Sequence, residues 1–157
     1  MQFEHLVAVN DLTAQTTSIL TRAQLWQGLL LRAVEPQRFN PHIEAVTILE
    51  RSAHLIVREI DFGNMQVRDD IELKDGSEIL YRTTPGEKHA GGQLAVRIEE
   101  PQEYALFVRF TYQTPAPENT PEEIELGRYL KKMWQEMDVD AIKLIRELAE
   151  EGRFNPQ

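Results

Sequence analysis

Cysteine is absent from the 157-residue sequence. Its absence excludes disulfide bonds, thiolate catalysis and cysteine-ligated zinc or iron–sulfur clusters, and it is compatible with a reducing cytosol. The sequence also lacks His-Glu-x-x-His, Gly-x-Ser-x-Gly and Walker-type motifs, and its four histidines are too scattered to suggest a metal site. We therefore expect neither a metal nor another cofactor.

Long apolar runs and excess positive charge are also absent. No run approaches the roughly 20 apolar residues that a membrane-spanning helix needs, and the first residues, MQFEHLVAVND, do not resemble a signal peptide. The formal net charge of −9 disfavours nucleic acid and anionic membranes as partners. A chain of this length suits one domain. We expect a single-domain cytoplasmic protein over residues 1–157, with no integral membrane segment.

The most regular part of the sequence is its last stretch, from Thr120 to Gly152. Thr120 suits a helix N-cap, Pro121 the first helical position, and Glu123 the second half of a capping box. Gly152 is a stop signal. These features predict a helix of about 30 residues. Its apolar residues form one stripe at helical spacing: Leu126, Leu130, Met133, Met137, Ala141, Leu144 and Leu148.

The middle of the chain has the pattern of consecutive strands separated by turn signals. The predicted strands are 43–51, 54–62, 65–74, 77–84, 92–100 and 103–114. A further strand is predicted at 2–10 and a helix at 22–34, with a polar, irregular stretch at 10–21 between them. This order predicts an α+β fold: a curved antiparallel meander of about seven strands around a long C-terminal helix, with one or two short helices between strands 1 and 2.

This order of elements resembles the helix-grip fold of the START / birch-pollen-allergen superfamily, also called SRPBCC. The opening strand, the helix sequence LWQGLL at 25–30 and the segment FNPHIEAVTILE at 39–50 carry the resemblance. The end of that segment resembles the superfamily's recurring P-x-I-x-x-V-x-x-L-E. Within the superfamily, the chain is most similar to the AtaL-like group, whose members mostly lack an assigned activity. The resemblance implies a cavity for an apolar ligand between the sheet and the C-terminal helix. Relatives include lipid transporters, hormone receptors, polyketide cyclases and co-chaperones, so the fold alone does not select a function.

Hairpin register predicts a charged row on the apolar face of the sheet. Two-residue turns at 52–53, 63–64 and 75–76 would align Thr47, Arg58, Asp69 and Arg82 across four strands. Two arginines around one aspartate leave one positive charge, which with Thr47 would bind a carboxylate, phenolate or enolate of a mostly apolar ligand. The alternatives are an internal ion-pair network, or a β-bulge that turns the row outward.

Three residues of the long helix are further candidates for contact with a ligand. Tyr129, Met133 and Met137 cluster with Trp134 near the middle of the helix. Methionine adapts to irregular ligands, although core filling is the commoner use of such residues. The loop from Pro85 to Gly92 contains three glycines and is either a gate to the cavity or an ordinary surface connection.

The orientation of strand 103–114 depends on the turn before it. A two-residue turn at 101–102 would bring Arg109 into the cavity and expose an apolar stripe. The stripe comprises Tyr104, Leu106, Val108, Phe110 and Tyr112. Because exposing so many large side chains is costly, we expect a three-residue turn that buries the stripe. An exposed stripe would instead be a candidate homodimer interface.

Three hypotheses about function follow. The first is a protein that binds a small hydrophobic ligand (lipid, aromatic or polyketide-like) carrying a polar or anionic group. The second is an enzyme of the polyketide cyclase or dehydratase type, in which the row stabilises an enolate and Asp69 accepts a proton. Two flanking arginines would stabilise the Asp69 anion and make it a poor proton acceptor, so the sequence favours binding over catalysis. The third is a protein-interaction module.

Overall fold

The computed structural model describes residues 1–13 and 18–155, so part of the irregular stretch predicted at 10–21 lies outside the described residues. Its strands are β1 (Gln2–Ala8), β2 (Ala45–Arg51), β3 (Leu55–Asp61), β4 (Gln66–Lys74), β5 (Glu78–Thr83), β6 (Gly92–Glu99) and β7 (Phe107–Gln113). The helices are α1 (Arg22–Val34) and α2 (Pro121–Glu150), with a 3₁₀ turn at Pro36–Arg38. All seven strands form one antiparallel sheet in the order β1-β7-β6-β5-β4-β3-β2. The predicted α+β helix-grip fold is confirmed.

The short helix α1 packs between the sheet and α2. Its N-terminus is a capping box, in which the Gln24 amide donates to Thr21 Oγ1 (3.1 Å) and the Thr21 amide donates to Gln24 Oε1 (2.9 Å). One face is buried against the core, through Leu25, Trp26, Leu29 and Ala33. Gly28 lies so close to α2 that a Cβ atom there would be 2.8 Å from Ile145 Cγ1. The two helices therefore approach through a position that has no room for a side chain.

The long helix α2 begins and ends where its capping residues predict. The Glu123 amide donates to Thr120 Oγ1 (3.2 Å), Pro121 is the first residue, and Gly152 beyond the end has a φ of +81°. The two halves of α2 differ in burial. The second half is packed into the core through Ala141, Ile142, Ile145 and Leu148, whereas Leu126 and Tyr129 in the first half are 57% and 64% exposed. The apolar stripe is thus buried in the second half of α2 and partly exposed to solvent in the first half.

The main core lies where the second half of α2 and α1 cover the sheet. Its ten largest fully buried side chains are Phe110, Leu20, Leu25, Ile56, Ile71, Ile79, Leu106, Ile145, Val108 and Asp138. Nine of these ten are apolar, and the exception, Asp138, is satisfied by hydrogen bonds described below.

Register determines which polar side chains reach the covered face of the sheet. The two-residue turn at Gly63-Asn64 is confirmed, since the Phe62 amide donates to the Met65 carbonyl (2.8 Å) and Arg58 lies opposite Asp69. The two-residue turn at 75–76 is wrong, because Lys74 pairs with Glu78 and leaves three residues in the turn, with φ +69° at its glycine. This one-residue shift moves every side chain of β5 to the other face from the one predicted.

The predicted turn at 52–53 is also wrong. Arg51 pairs with Ile56, and a bulge between Ile48 and Glu50 shifts the register again. As a result Thr47 lies opposite Glu59 instead of Arg58, and every residue of β2 except the half-buried Val46 is exposed.

The apolar stripe of β7 is buried, as expected, although seven residues (100–106) connect β6 to β7 instead of the predicted three-residue turn. Leu106, Val108 and Phe110 have no measurable exposure and Tyr112 is 8% exposed, while Tyr104, outside the strand, is 43% exposed. Arg109 points to the other face of the sheet, where it pairs with Glu4 and Glu99. Leu106, Val108, Phe110 and Tyr112 are therefore part of the core, and Tyr104 is the one exposed member of the stripe.

Candidate functional site

A cavity of about 680 Å³ lies between the first half of α2 and the sheet. This volume is in the range of about 300–1,000 Å³ that is typical of small-molecule sites. Most of the wall is apolar and includes Phe39, Ile43, Ile60, Phe62, Met65, Val67, Leu94, Leu130, Trp134 and Met137. The cavity opens between α2 and the β5–β6 loop, where the lining residues Leu126, Lys88 and Ala90 are exposed.

Arg58 and Asp69 form a buried ion pair in the cavity wall. Arg58 Nε donates to Asp69 Oδ2 (2.9 Å), and Thr83 Oγ1 donates to Asp69 Oδ1 (2.6 Å). Arg58 Nη1 also donates to the carbonyls of Ala33 (2.6 Å) and Arg32 (3.3 Å) at the C-terminus of α1. A guanidinium at this end of a helix satisfies carbonyls that lack a helical partner and complements the helix dipole. The pair therefore joins the sheet to α1, and its charges are matched.

A second buried ion pair is centred on Asp138 of α2. Arg32 Nη1 of α1 donates to Asp138 Oδ1 (3.0 Å), and the Tyr112 hydroxyl of β7 donates to Asp138 Oδ2 (2.6 Å). The Nε2 atom of His5 in β1 lies 2.7 Å from the same Oδ2. One fully buried carboxylate thus connects two helices and the two strands at one edge of the sheet.

Aromatic rings continue this connection into the cavity wall. The rings of Tyr112 and Trp134 are stacked at 4.4 Å between centroids and an interplanar angle of 3°, which fixes α2 against β7. In the part of the wall formed by β3 and β5, the Arg58 guanidinium lies 5.2 Å from the centroid of the Tyr81 ring. Tyr81, Tyr112 and Trp134 all line the cavity.

Burial changes the proton affinity of the tyrosines in this wall. It raises the pKa of Tyr81, an effect that Arg58 and Arg32 offset only in part. It also raises the pKa of Tyr112, and the Asp138 carboxylate adds to that rise. For Arg32, burial acts to lower the pKa, but Asp138 and the nearby tyrosines outweigh it, so the pKa is raised. At neutral pH both tyrosines therefore keep their protons and the guanidinium keeps its charge.

The rim of the cavity is held by a contact between two loops. Lys88 Nζ in the β5–β6 loop donates to the Asn64 carbonyl in the β3–β4 turn (2.6 Å). Lys88 and the next residues, His89 and Ala90, line the cavity, and Gly91 has a φ of +76° that suits glycine. Movement of this loop as a gate stays a prediction.

The structure brings together only part of the predicted charged row. Arg58 and Asp69 are adjacent and line the cavity, but Arg82 lies opposite Asp70 on the other face of the sheet, where it pairs with Glu72. The three-residue turn before β5 causes this change and puts Thr83 beside Asp69 instead. Thr47 is exposed on β2 because of the bulge. The predicted row across four strands is therefore wrong.

The three predicted residues of α2 are divided between the inside and the outside. Met137 lines the cavity. Tyr129 is 64% exposed and Met133 is half-buried outside the cavity lining. Whether any of the predicted residues contacts a ligand stays a prediction.

Sequence reasoning missed the residues that surround these ion pairs. Arg32, Tyr81 and Thr83 were not predicted as site residues, and neither was Asp138. Asp138 had a usable signal, because it precedes the buried residues Ile142 and Ile145 by four and seven positions and so shares their helix face.

In the described part of the chain, no three side chains of the metal-ligating types come together as a metal site. No helix there is both long enough and apolar enough to cross a membrane.

The sequence matches one known protein family. The sequence profile of the AtaL family, described as acetylaranotin biosynthesis cluster protein L, matches residues 7–152. The chain belongs to the AtaL family. No curated protein matches it.

Several solved structures share the fold of this AtaL-family protein. The di-domain ARO/CYC StfQ from the steffimycin biosynthetic pathway has a TM-score of 0.68 at 16% identity, over 97% of this chain and 52% of its own. The chain thus spans about half the length of that protein. The Zhui aromatase/cyclase from Streptomyces sp. R1128 has a TM-score of 0.65 at 18% identity, over 94% of each chain. Ara h 8.0201 has a TM-score of 0.60 at 16% identity, over 92% of this chain and 97% of its own. At these identities the likeness shows a shared fold and no more.

Proposed function

We propose that this AtaL-family protein binds a small, mostly apolar molecule in the cavity between α2 and the sheet. The observation that carries the proposal is the open, apolar-walled cavity of about 680 Å³ beside an otherwise closely packed core. An apolar ligand with the bulk of a tryptophan side chain would bury on the order of 200 Å². That area corresponds to about 5 kcal/mol before the costs of association, so apolar burial alone gives a ligand of this size a Kd no tighter than about 0.2 mM.

The exposed apolar residues at the mouth of the cavity support the same proposal. Leu126 is 57% exposed although it belongs to the apolar stripe of α2, and Leu130, one turn later, lines the cavity. Contiguous apolar surface of this kind commonly marks a binding site. A bound apolar molecule would cover both side chains and complete the packing of the first half of the helix.

A polyketide cyclase-type reaction is the second candidate function. It is favoured by the presence of aromatase/cyclases among the proteins of similar fold. The geometry supports it less well, because both carboxylate oxygens of Asp69 already accept hydrogen bonds, from Arg58 and Thr83. A substrate proton could reach this carboxylate only by displacing one of these hydrogen bonds. Turnover of a poly-β-ketone substrate that is lost in Asp69→Asn would favour catalysis.

Two methionines on α2 provide a matched test of binding in the cavity. Met137 lines the cavity and Met133, one turn earlier, does not. We expect Met137→Trp to fill the cavity and weaken binding of the neutral fluorescent dye N-phenylnaphthylamine by about tenfold, or about 1.4 kcal/mol. Met133→Trp adds the same bulk outside and should leave the affinity within about twofold, a change below about 0.5 kcal/mol.

The dye titration is paired with thermal unfolding of both variants, so that a loss of structure is distinguished from a filled cavity. Equal affinity of the wild type and Met137→Trp, or equal weakening by both substitutions, would contradict binding at this site. No dye binding to the wild-type protein would count against the proposal as a whole.

A further inference from the structure

The buried charges around the cavity cancel, which bears on the chemical class of the ligand. Arg58 is paired with Asp69 (2.9 Å) and Arg32 with Asp138 (3.0 Å), so two positive charges meet two negative ones. The sequence had predicted a residual positive charge, which required Arg82 in the same row. Lys88 is also in the lining, but it is exposed at the rim, where water and salt screen its charge. The buried wall therefore has no net charge to offset the desolvation of an anionic ligand.

The Tyr81 hydroxyl is a hydrogen-bond donor without a partner in this wall. Tyr81 is 8% exposed, lines the cavity and makes no hydrogen bond to any described residue through its hydroxyl. Among the described residues, Glu123 Oε2 is the one side-chain oxygen or nitrogen that is both inaccessible to solvent and without a hydrogen-bond partner. The unpartnered Tyr81 hydroxyl oxygen is therefore still accessible. Buried hydroxyl groups normally have partners, so this donor lacks an acceptor that a ligand would supply. Its raised pKa keeps it protonated.

Arg32 adds further donors, whereas the strongest acceptors of the wall are occupied. Arg32 also lines the cavity and uses one guanidinium nitrogen for Asp138, with no other hydrogen bond to the described residues. A guanidinium carries five N–H donors and no acceptor. Both carboxylate oxygens of Asp69 and of Asp138 already receive hydrogen bonds. The buried charged and phenolic groups around the cavity thus offer hydrogen-bond donors and no unoccupied carboxylate oxygen, which favours a ligand that carries an acceptor.

We infer that the cavity selects a neutral, apolar ligand with a carbonyl-type oxygen, and that the Tyr81 hydroxyl donates a hydrogen bond to that oxygen. The ligand class is therefore an aromatic or alicyclic ketone, quinone or ester, in preference to the corresponding carboxylate. This inference rests on the proposed function, because it assigns the ligand chemistry of the same cavity.

Three probes of nearly the same size and shape test the inference: methyl naphthyl ketone, ethylnaphthalene and naphthoate, each substituted at the same ring position. Their affinities are measured near neutral pH by displacement of N-phenylnaphthylamine. We expect the ketone to bind about 3- to 10-fold more tightly than ethylnaphthalene, the effect of one net hydrogen bond. Naphthoate, which is anionic at this pH, should bind at least about tenfold more weakly than the ketone.

Tyr81→Phe removes the donor and keeps the ring. In this variant the ketone should bind no more tightly than ethylnaphthalene, while the affinity for ethylnaphthalene stays at the wild-type value and verifies that the cavity is intact. Tyr104→Phe is the matched control, because Tyr104 is 43% exposed and does not line the cavity, and it should change neither affinity.

The outcomes separate this inference from the proposed function. If all three probes bind but ketone and ethylnaphthalene bind equally, or naphthoate binds most tightly, the wild-type data alone overturn the inference and leave binding in the cavity intact. If neither the dye nor any probe binds, the proposed function fails and the inference fails with it. A preference for the ketone that persists in Tyr81→Phe would overturn the role of Tyr81.

Discussion

Asp138→Asn should be among the most damaging conservative substitutions in this protein. Asp138 is fully buried and accepts hydrogen bonds from Arg32 and Tyr112, with His5 Nε2 also within 2.7 Å. Asparagine keeps the shape but loses the charge, and it presents an amide NH₂ group to one of these donors. Leaving a buried arginine without its counter-charge costs about 3–5 kcal/mol. Losing two hydrogen bonds to a charged group, at about 1.5–3 kcal/mol each, gives a similar total.

The expected loss is large enough to measure by several methods. For a protein of this size, about 3–5 kcal/mol lowers the Tm by roughly 6–20 °C. Urea unfolding followed by tryptophan fluorescence and by circular dichroism measures the free energy directly, and coincident transitions test two-state behaviour. Asp140→Asn is the matched control on the same helix, because Asp140 is exposed, and it should change stability by less than about 0.5 kcal/mol.

The result also tests how α2 is held above the cavity. If Asp138→Asn unfolds within about 1 kcal/mol of the wild type, the carboxylate is not the anchor that its contacts indicate. If stability falls as expected, dye binding should weaken too, because Tyr112 and Arg32 are both Asp138 partners and cavity-lining residues.

Two further predictions concern helix packing and alkaline pH. Gly28→Ala should destabilise the protein by about 1–3 kcal/mol because the new Cβ meets Ile145, whereas Gly127→Ala, which meets only the flexible end of Met1 and Glu118, should be neutral or stabilising in urea unfolding. Above the ordinary tyrosine pKa of 10.0, the unfolded state releases a proton that buried Tyr112 retains, so the unfolded state binds fewer protons and stability falls as pH rises. Tyr112→Phe should reduce the slope of the unfolding free energy against pH by about 1.4 kcal/mol per pH unit, and Tyr104→Phe should leave the slope unchanged. Equal slopes in the wild type and both variants would contradict the burial of the Tyr112 hydroxyl.

The helices and strands were predictable because their signals are local. Thr120, Pro121 and Gly152 each act within one turn of the chain and mark the ends of α2. The turn at Gly63-Asn64 was predictable for the same reason, since glycine tolerates the positive φ that a tight hairpin requires.

Register was less predictable, because a difference of one residue in a turn reverses a whole strand. The sequence Asp75-Gly76 suits a two-residue turn, yet the turn also includes Ser77. Because of this extra residue, Thr83 lies beside Asp69, where the sequence predicted Arg82. The bulge after Ile48 has no glycine or proline to mark it. The packing of the strand faces decides such shifts, and that packing is not a local property.

The Asp138 cluster depends on four elements that are far apart in sequence. Its closest pair in the chain, Tyr112 and Asp138, is separated by 26 residues, and His5 and Asp138 by 133. A sequence pattern can suggest that Asp138 shares the buried face of α2, but it cannot name partners that only the fold brings together. Likewise, the sequence cannot show that the Tyr81 hydroxyl lacks a hydrogen-bond partner, because that depends on which residues the fold brings near it.

The methionine methyl spectrum tests ligand binding in the cavity most directly. The chain has four methionines, of which Met65 and Met137 line the cavity while Met1 and Met133 do not. Methyl naphthyl ketone added to methyl-labelled protein should shift the signals of Met65 and Met137 and show intermolecular contacts to them. The signals of Met1 and Met133 should stay in place. Saturable binding that shifts Met133 and leaves Met65 and Met137 unchanged would contradict the account.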